Sequence, residues 1–322
     1  MTRAVGILGL GHYVPEKIIT NTDMEKIVET SDEWITERTG IKQRHIAAPE
    51  EATSDLAYNA AVEALKDAGV APEELDLVIV GTASSDYIFP STACLVQARL
   101  GAKNAAAFDL AAGCSGFVYS LAVASQMVKS GLYNKILIIG AETLSRIMNW
   151  TDRNTCVLFG DGAGAAVVGE VEEGYGVLGI DMGADGNGVN ANGQAGMPRK
   201  KIDKLVEFVK GYGAKGLAYL AIHEDGTYKC SFSKFMKPEE LDMLFPHQAN
   251  YRIITSAAKR LKMPMDKVWV NVDKYANTSA ASIPIALCEA QKAGALKKGD
   301  NIILDGFGAG LTWAAIVLKW SK

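Results

Sequence analysis

One succession of elements occurs twice in this chain, and that duplication narrows the fold more than any other feature. In the first half an apolar strand at residues 75–80 leads to a helix near 93–100, a second strand, and a sharp elbow at Gly113-Cys114-Ser115. A helix at 117–129, a strand at 135–140 and a glycine-rich hairpin at 159–168 complete the unit. In the second half a strand at 241–245 precedes His247, a helix at 251–261, a strand at 268–272 and an elbow at Asn277-Thr278-Ser279. A helix at 282–291, a strand at 301–304 and a second hairpin at 307–317 follow. Alternating strands and helices predict mostly parallel sheets covered on both faces. Two copies packed together predict an α/β sandwich of five layers, α-β-α-β-α, divided into halves at 1–173 and 174–322. Its elbows meet at the pseudo-dyad. Cys114, Asn277 and the turn carrying His247 then share one cleft, with Asn277 at the place equivalent to Cys114.

Cys114 carries the most distinctive chemistry. The apolar residues before it and the pattern Phe117, Leu121, Ala124, Val128 after it set the thiol at a strand-to-helix elbow. There it faces unpaired helix N–H groups and the positive end of the helix dipole. Such a setting lowers a thiol pKa and yields a nucleophilic thiolate. A small buried hydrophobe is the competing reading. The five cysteines (Cys94, Cys114, Cys156, Cys230, Cys288) lie far apart with no CxxC pair and no histidine at ligand spacing, so neither a disulfide framework nor a metal site is expected.

Bulk properties exclude several function classes. At 322 residues, with 48% hydrophobic and 22% charged residues, the chain can bury two cores. Its net charge of −4 argues against nucleic acid as a partner. No apolar run approaches membrane-spanning length and the N-terminus does not read as a signal peptide, so a cytoplasmic protein is expected. Gly6-Ile-Leu-Gly-Leu-Gly11 is followed by His12-Tyr13-Val14-Pro15 rather than a helix, and Gly160-Asp-Gly-Ala-Gly164 runs into a strand. Both are expected to be close backbone approaches inside a core, not phosphate-binding turns.

The motifs taken together resemble the β-ketoacyl-[acyl-carrier-protein] synthase III family, the thiolase-fold enzymes that start bacterial type II fatty-acid synthesis. The likeness rests on Thr30-Ser-Asp-Glu-Trp-Ile35, Arg38-Thr-Gly-Ile41, the Cys114 elbow and Phe159-Gly-Asp-Gly-Ala-Gly164. It continues through Pro246-His-Gln-Ala-Asn250, Asn277-Thr-Ser-Ala-Ala-Ser282 and Gly306-Phe-Gly-Ala-Gly310. It covers residues 1 to about 190 and about 241 to 322.

The resemblance implies that Cys114 takes an acyl group from acyl-CoA, usually acetyl, and that malonyl on acyl carrier protein then loses CO2 and attacks it. The N–H groups of Cys114 and Gly308 would form the oxyanion hole, where one lost donor costs about 10²–10³ in rate. His247 and Asn277 would donate hydrogen bonds to the malonyl thioester oxygen and stabilise the enolate. The resemblance assigns Trp34, Arg38, Arg153 and Asn250 to CoA. It assigns the helix face with Arg252, Lys259 and Arg260 to the acidic carrier protein, and Phe89 to the acyl pocket of a partner subunit in a homodimer. It implies no metal and no cofactor beyond the CoA thioester substrate. A papain-type hydrolase uses the same three residue types, Cys, His and Asn, with Asn orienting His. Their order in the chain does not separate the two.

Between residues 198 and 240 the family pattern stops, and the segment instead resembles part of the GAD domain of bacterial aspartyl-tRNA synthetases. It predicts an amphipathic helix on Ile202, Leu205, Phe208 and Val209 and a hairpin turning at 224–226. The segment that would define the acyl pocket is the one replaced. A hybrid that binds acyl thioesters or self-acylates without condensing, and an insert that contacts protein or tRNA, are therefore alternatives. Ala276 and Ala314 stand where the family usually has Gly, and Asp305 ends an otherwise apolar strand. A Cβ at a position needing positive φ would cost stability.

Overall fold

The computed structural model describes residues 3–184, 220–222, 228–230 and 238–322. Runs of apolar, largely β-branched residues form the centre of each of two stacked sheets. The first contains β1 (Val5–Tyr13), β2 (Leu77–Gly81), β3 (Ala106–Leu110), β4 (Lys135–Glu142) and β5 (Gly162–Glu170), in the order β1-β5-β4-β2-β3. The second contains β6 (Gly176–Ala184), β7 (Met243–Pro246), β8 (Asn301–Gly308) and β9 (Thr312–Lys319), in the order β7-β8-β9-β6. The division expected at 173/174 falls in the turn between β5 and β6.

Side-chain alternation along the strands assigns the layers. Val78, Val80, Leu137, Ile139, Ala163, Ala165 and Val167 face helices α1 (Thr53–Ala68) and α2 (Thr92–Leu100) on the outside of the first sheet. Leu77, Ile79, Ile136, Ile138, Ala166 and Val168 face inward. There they join Phe117, Val118 and Leu121 of α3 (Gly116–Lys129), and Ile283, Ala286 and Leu287 of α5 (Ser282–Lys292). Beyond the second sheet, Ile254 and Ala258 of α4 (Tyr251–Arg260) close a third cluster on Ile303 and Val317. The order α1/α2, sheet, α3/α5, sheet, α4 is the five-layer sandwich. In the first glycine cluster, a Cβ on Gly9 or Gly11 would lie 2.4 or 2.3 Å from the α1 backbone, so these glycines mark the expected close approach of helix and strand.

Three expectations need correction. The sheets are mixed: β2 pairs parallel with β3 and β4, and β7 with β8, whereas the other four pairings are antiparallel. The cause is that each half returns its last strand by a direct connection, β4 to β5 and β8 to β9, which reverses its direction. Residues 268–272 form no strand. Val268 makes one parallel bridge to Leu244, and the chain then turns into a short helix, Val272–Tyr275. Asn271 draws it out of the ladder by binding Gln248 through its backbone N–H and Glu289 through its side chain.

The third correction concerns the pseudo-dyad. Each elbow is a single tight turn, Gly113–Ser115 before α3 and Ser279–Ala281 before α5, opened by a residue at positive φ: Gly113 at 50° and Ser279 at 48°. Backbone shape therefore pairs Cys114 with Ala280. Asn277 lies three residues upstream of that counterpart.

In the segment that departs from the family, Leu220–Ile222 pairs antiparallel with Tyr228–Cys230, flanking the expected turn. The turn itself and the expected helix at 201–210 lie outside the described residues. Of the two family glycine positions, Ala314 sits in β9 with its side chain buried between the sheets and no positive φ. Ala276 is buried at φ 56°, ψ −159°, a region that only Gly enters without strain. Ala276→Gly is expected to raise the unfolding free energy by about 1–2 kcal/mol, allowing for the added freedom of the unfolded chain. Equilibrium denaturation in guanidinium reads this directly, and a variant less stable than the parent would contradict it.

Candidate active site

Cys114 occupies the turn ahead of α3, pressed between the two halves. A Cβ placed on Gly308 would lie 2.7 Å from the Cys114 Cβ and 3.0 Å from its Sγ, so β8 passes the sulfur with bare backbone. Burial pushes the thiol above its ordinary value, with the nearby Glu142 carboxylate adding to the effect. The Ser279 hydroxyl and the N–H groups of Cys114 and Ala309 offset part of the rise. The expected lowering is thus corrected: removal from water outweighs the donors at the elbow. Of the expected oxyanion pair, Gly308 packs directly against the Cys114 side chain.

His247 leaves the end of β7, where its N–H donates to the Asp305 carbonyl at 2.7 Å. Its ring meets Phe307 edge-on, with centroids 5.6 Å apart. Nδ1 lies 2.7 Å from the Ser282 Oγ, at the first residue of α5. That oxygen also accepts a long bond from the Gln248 N–H, 3.4 Å. With the Ser282 hydroxyl donating to Nδ1, the ring proton sits on Nε2. Complete burial pulls the imidazole down to about 3, so at neutral pH it is uncharged.

Asn277 is held on both sides by the segment that leads into the second glycine cluster. Its N–H donates to Leu158 and its carbonyl accepts from Gly160, at 3.0 and 3.1 Å. Its Oδ1 accepts from the Ser279 N–H at 2.8 Å, which leaves the NH2 group as the donor. The Ser279 bond to Asn277 and the Ser282 bond to His247 lie on one short stretch, so a single elbow holds both donors. Ser279, Ser282 and Glu142 were not singled out from sequence. The two serines lie inside the 277–282 motif, and an acid ending an apolar strand was the available signal for Glu142.

The remaining assigned residues fall into separate patches. The Trp34 ring lies under two guanidiniums, 4.9 Å from Arg38 and 5.0 Å from Arg153. Asn250 is beside them, but both ends of its amide are engaged: Nδ2 donates to the Arg38 carbonyl and Oδ1 caps α4. Arg252, Lys259 and Arg260 are exposed on α4. Phe89 is 88% exposed, beside Ile88 and Tyr87, also exposed. Among the described residues, His12, Glu63 and Cys288 are close enough to share a metal ion, yet the Lys292 ammonium already pairs with Glu63 and touches His12.

Comparison with known proteins tests the assignment. The family model for 3-oxoacyl-[acyl-carrier-protein] synthase III matches residues 108–186, and the model for its C-terminal part matches 233–320. A β-ketoacyl-[acyl-carrier-protein] synthase III from Caldanaerobacter subterraneus is 57% identical over 99% of this chain and 98% of its own length. The chain belongs to the β-ketoacyl-[acyl-carrier-protein] synthase III family. A relative of the same name from Fusobacterium nucleatum is 49% identical over 99% of both chains. The crystal structure of the synthase III from Thermus thermophilus matches with a TM-score of 0.85 at 48% identity, over 98% of this chain and 99% of that one. The Aquifex aeolicus structure matches at 0.82 and 44%, over 98% and 100%. The GAD domain model also matches, at residues 186–249.

Asp305 sits beside the site, and burial pushes its carboxyl up to about 6. Because the folded value lies above that of the unfolded chain, ionisation here costs stability. The cost is absent below about pH 4, where both states hold the proton, and grows as pH rises through the folded value. Asp305→Asn is expected to raise Tm by several degrees at pH 7.5, with the gain shrinking toward nothing near pH 4. A gain of equal size at both pH values would show that its cause is not this carboxylate.

Proposed function

We propose that Cys114, His247 and Asn277 carry the decarboxylating Claisen condensation of the family, joining an acyl-CoA primer to malonyl-[acyl-carrier protein] to give 3-ketoacyl-[acyl-carrier protein], CO2 and CoA. Acetyl-CoA is the expected primer. The observation that carries the reading is the pair of uncharged donors, the buried His247 ring bonded to the second elbow through Ser282 and the Asn277 NH2 at the start of that elbow. Cys114 attacks the acyl-CoA thioester, CoA leaves, and the acyl group waits on sulfur. When malonyl loses CO2, negative charge moves onto its thioester oxygen. Two neutral donors in a dry site stabilise that enolate without trapping it as a salt. The enolate carbon then attacks the acyl-cysteine carbonyl, and Cys114 departs as the leaving group.

The hydrolase reading fits poorly. A papain-type site needs His to hold the thiol proton and Asn to orient His. Here His247 is held by Ser282 rather than Asn277, and its burial opposes protonation. A condensation-deficient hybrid keeps the elbow chemistry and loses the second half-reaction.

The Trp34–Arg38–Arg153 stack suits the adenine nucleotide of CoA, with the guanidiniums near its phosphates. Asn250 acts there by fixing α4 to the Arg38 segment. Arg252, Lys259 and Arg260 suit an acidic carrier protein. β3 is an edge strand with Phe108 facing outward, and Tyr87-Ile88-Phe89 is bare of cover within the chain. A second copy pairing along β3 satisfies that edge and brings Phe89 to its partner's acyl pocket. Among the described residues no helix is long and apolar enough to cross a membrane. Cys94, Cys114, Cys156 and Cys288 carry free thiols, as suits a cytoplasmic enzyme. The chemistry calls on no metal and no cofactor other than the CoA thioester.

Three variants test the reading. Cys114→Ala is expected to take up no label from radiolabelled acetyl-CoA. His247→Ala and Asn277→Ala are expected to take up label normally but to release CO2 from malonyl-carrier protein at least about 10²-fold more slowly. A labelled Cys114→Ala enzyme would remove the nucleophile, and normal condensation by either other variant would remove that donor. A wild-type acetyl adduct that malonyl-carrier protein fails to discharge would establish the hybrid instead.

A further inference from the structure

The ring of His247 makes one hydrogen bond, and that bond decides what the imidazole can offer a substrate. Nδ1 lies 2.7 Å from the Ser282 Oγ, both groups are buried, and among the described residues the ring has no other hydrogen-bond partner. An uncharged imidazole carries its single proton on one nitrogen or the other. With the proton on Nδ1, Nε2 is bare and meets a developing oxyanion with a lone pair. With the proton on Nε2, the same atom is a donor. The choice between these forms falls to the group opposite Nδ1.

Ser282 is placed to make that choice. Its Oγ also accepts from the Gln248 N–H at 3.4 Å. Were it to accept from Nδ1 as well, the hydroxyl proton would be buried without a partner, and protein interiors seldom leave a donor so. Donation to Nδ1 satisfies the hydroxyl, the amide and the ring together. The residue is fixed through its main chain too, since its N–H donates to the Ser279 carbonyl and it opens α5.

A second tie sets the distance between ring and hydroxyl. Gln248, next to His247 and buried, donates from Nε2 to the Pro246 and Trp269 carbonyls at 2.9 and 3.1 Å. Its Oε1 accepts the Asn271 N–H at 3.0 Å. Asn271 in turn donates to Glu289 at 3.0 Å, joined there by the Trp269 indole at 3.2 Å and the Lys274 ammonium at 2.7 Å. Glu289 follows Ser282 on α5 by two turns, on the same face. One helix thus grips the His247 turn at two points.

We infer that Ser282 is a positioning residue for decarboxylation: its hydroxyl holds His247 in the tautomer that donates from Nε2, and the Gln248–Asn271–Glu289 chain holds ring and hydroxyl in register. Ser282 keeps its proton throughout and forms no bond to substrate. This deepens the proposed function and rests on its assignment of His247 as a donor to the malonyl thioester oxygen. In that reading acylation of Cys114 makes no use of His247, so the two half-reactions respond differently to Ser282.

The test joins a spectrum of the free enzyme to a ratio of rates. Histidine labelled with 15N reports which imidazole nitrogen carries the proton, with the His247 signal identified by its absence from His247→Ala. Wild type is expected to show Nε2 protonated and Nδ1 bare at neutral pH, and Ser282→Ala a mixture of both tautomers. The rate of CO2 release from malonyl-carrier protein, divided by the single-turnover rate of acylation by acetyl-CoA, is expected to fall about tenfold in Ser282→Ala, the usual worth of one hydrogen bond. Ser282→Thr retains a hydroxyl and is expected to restore both readouts. The inference is overturned by a wild-type ring protonated on Nδ1, or by a natively folded Ser282→Ala with tautomer or rate ratio unchanged. A natively folded Ser282→Thr that behaves like Ser282→Ala overturns it as well. Wild type that fails to decarboxylate malonyl-carrier protein, or His247→Ala that does so normally, would overturn the proposed function; the spectrum, which needs no turnover, would still decide the tautomer claim. Should Ser282→Ala not fold, Ser282→Cys, near serine in size and a far weaker donor, is judged by the same criteria.

Discussion

The close passage of strand backbone against each elbow is the constraint from which the rest of the structure follows. A Cβ on Gly140 would lie 2.2 Å from the Ala280 carbonyl oxygen, and one on Gly308 would run into Cys114. A Cβ on Gly81 would lie 2.8 Å from the Gly116 backbone at the start of α3. No side chain fits between these segments, so the sheets, the two central helices and both turns are fixed within a fraction of an ångström. Placement of that quality is what a site of preorganised donors requires, since a donor displaced by an ångström no longer meets charge as it forms. The energy comes from the apolar layers on either side. The close approach at the centre uses that energy to hold polar groups that would otherwise relax toward water.

The same closeness explains why the second elbow carries so many roles. Residues 277–282 span two turns of chain, yet they supply the Asn277 donor, the Ser279 N–H that orients it, the Ala280 approach to β4 and the Ser282 bond to His247. Each role uses a different atom of a backbone that can adopt one shape. Ser279 accepts a strained φ because the tertiary contacts on both sides leave no alternative. Ala276 at φ 56° is different: it joins the neighbouring helix to this stretch with a Cβ where no role for one is evident.

Much of the layering was legible because hydrophobic period and duplication report it directly. Apolar runs such as Leu77-Val-Ile-Val-Gly81 and Lys135-Ile-Leu-Ile-Ile-Gly140 read as buried strands whichever way they pair. Their direction was not legible, because parallel and antiparallel central strands bury the same residues. Pairing Asn277 with Cys114 failed for a related reason: matching the halves by chemistry favoured the two polar elbow residues, whereas backbone conformation pairs Gly113 with Ser279. Residues 268–272 have strand composition, but Asn271 is captured by Gln248 and Glu289 from distant parts of the chain. The motifs gave Cys114, His247 and Asn277 as a set, and each ends or opens an element beside the elbows. The partners of those three were hidden, since a serine or a glutamate gains its meaning from what tertiary packing puts against it.

Burial acts on Cys114, His247 and Glu142 in one sense, toward the uncharged form of each. An ion-pair mechanism would be poorly served by that environment, because a thiolate–imidazolium pair pays for two desolvated charges at rest. A condensing site has the opposite requirement. Its charge is transient, arises on the substrate oxygen, and must pass on to a carbon–carbon bond. Neutral donors bind that oxygen more strongly as its charge grows, which lowers the barrier without deepening the ground state. A thiol above its ordinary value is then no defect in such a site. The resting sulfur stays protonated, and thus inert, in the absence of substrate.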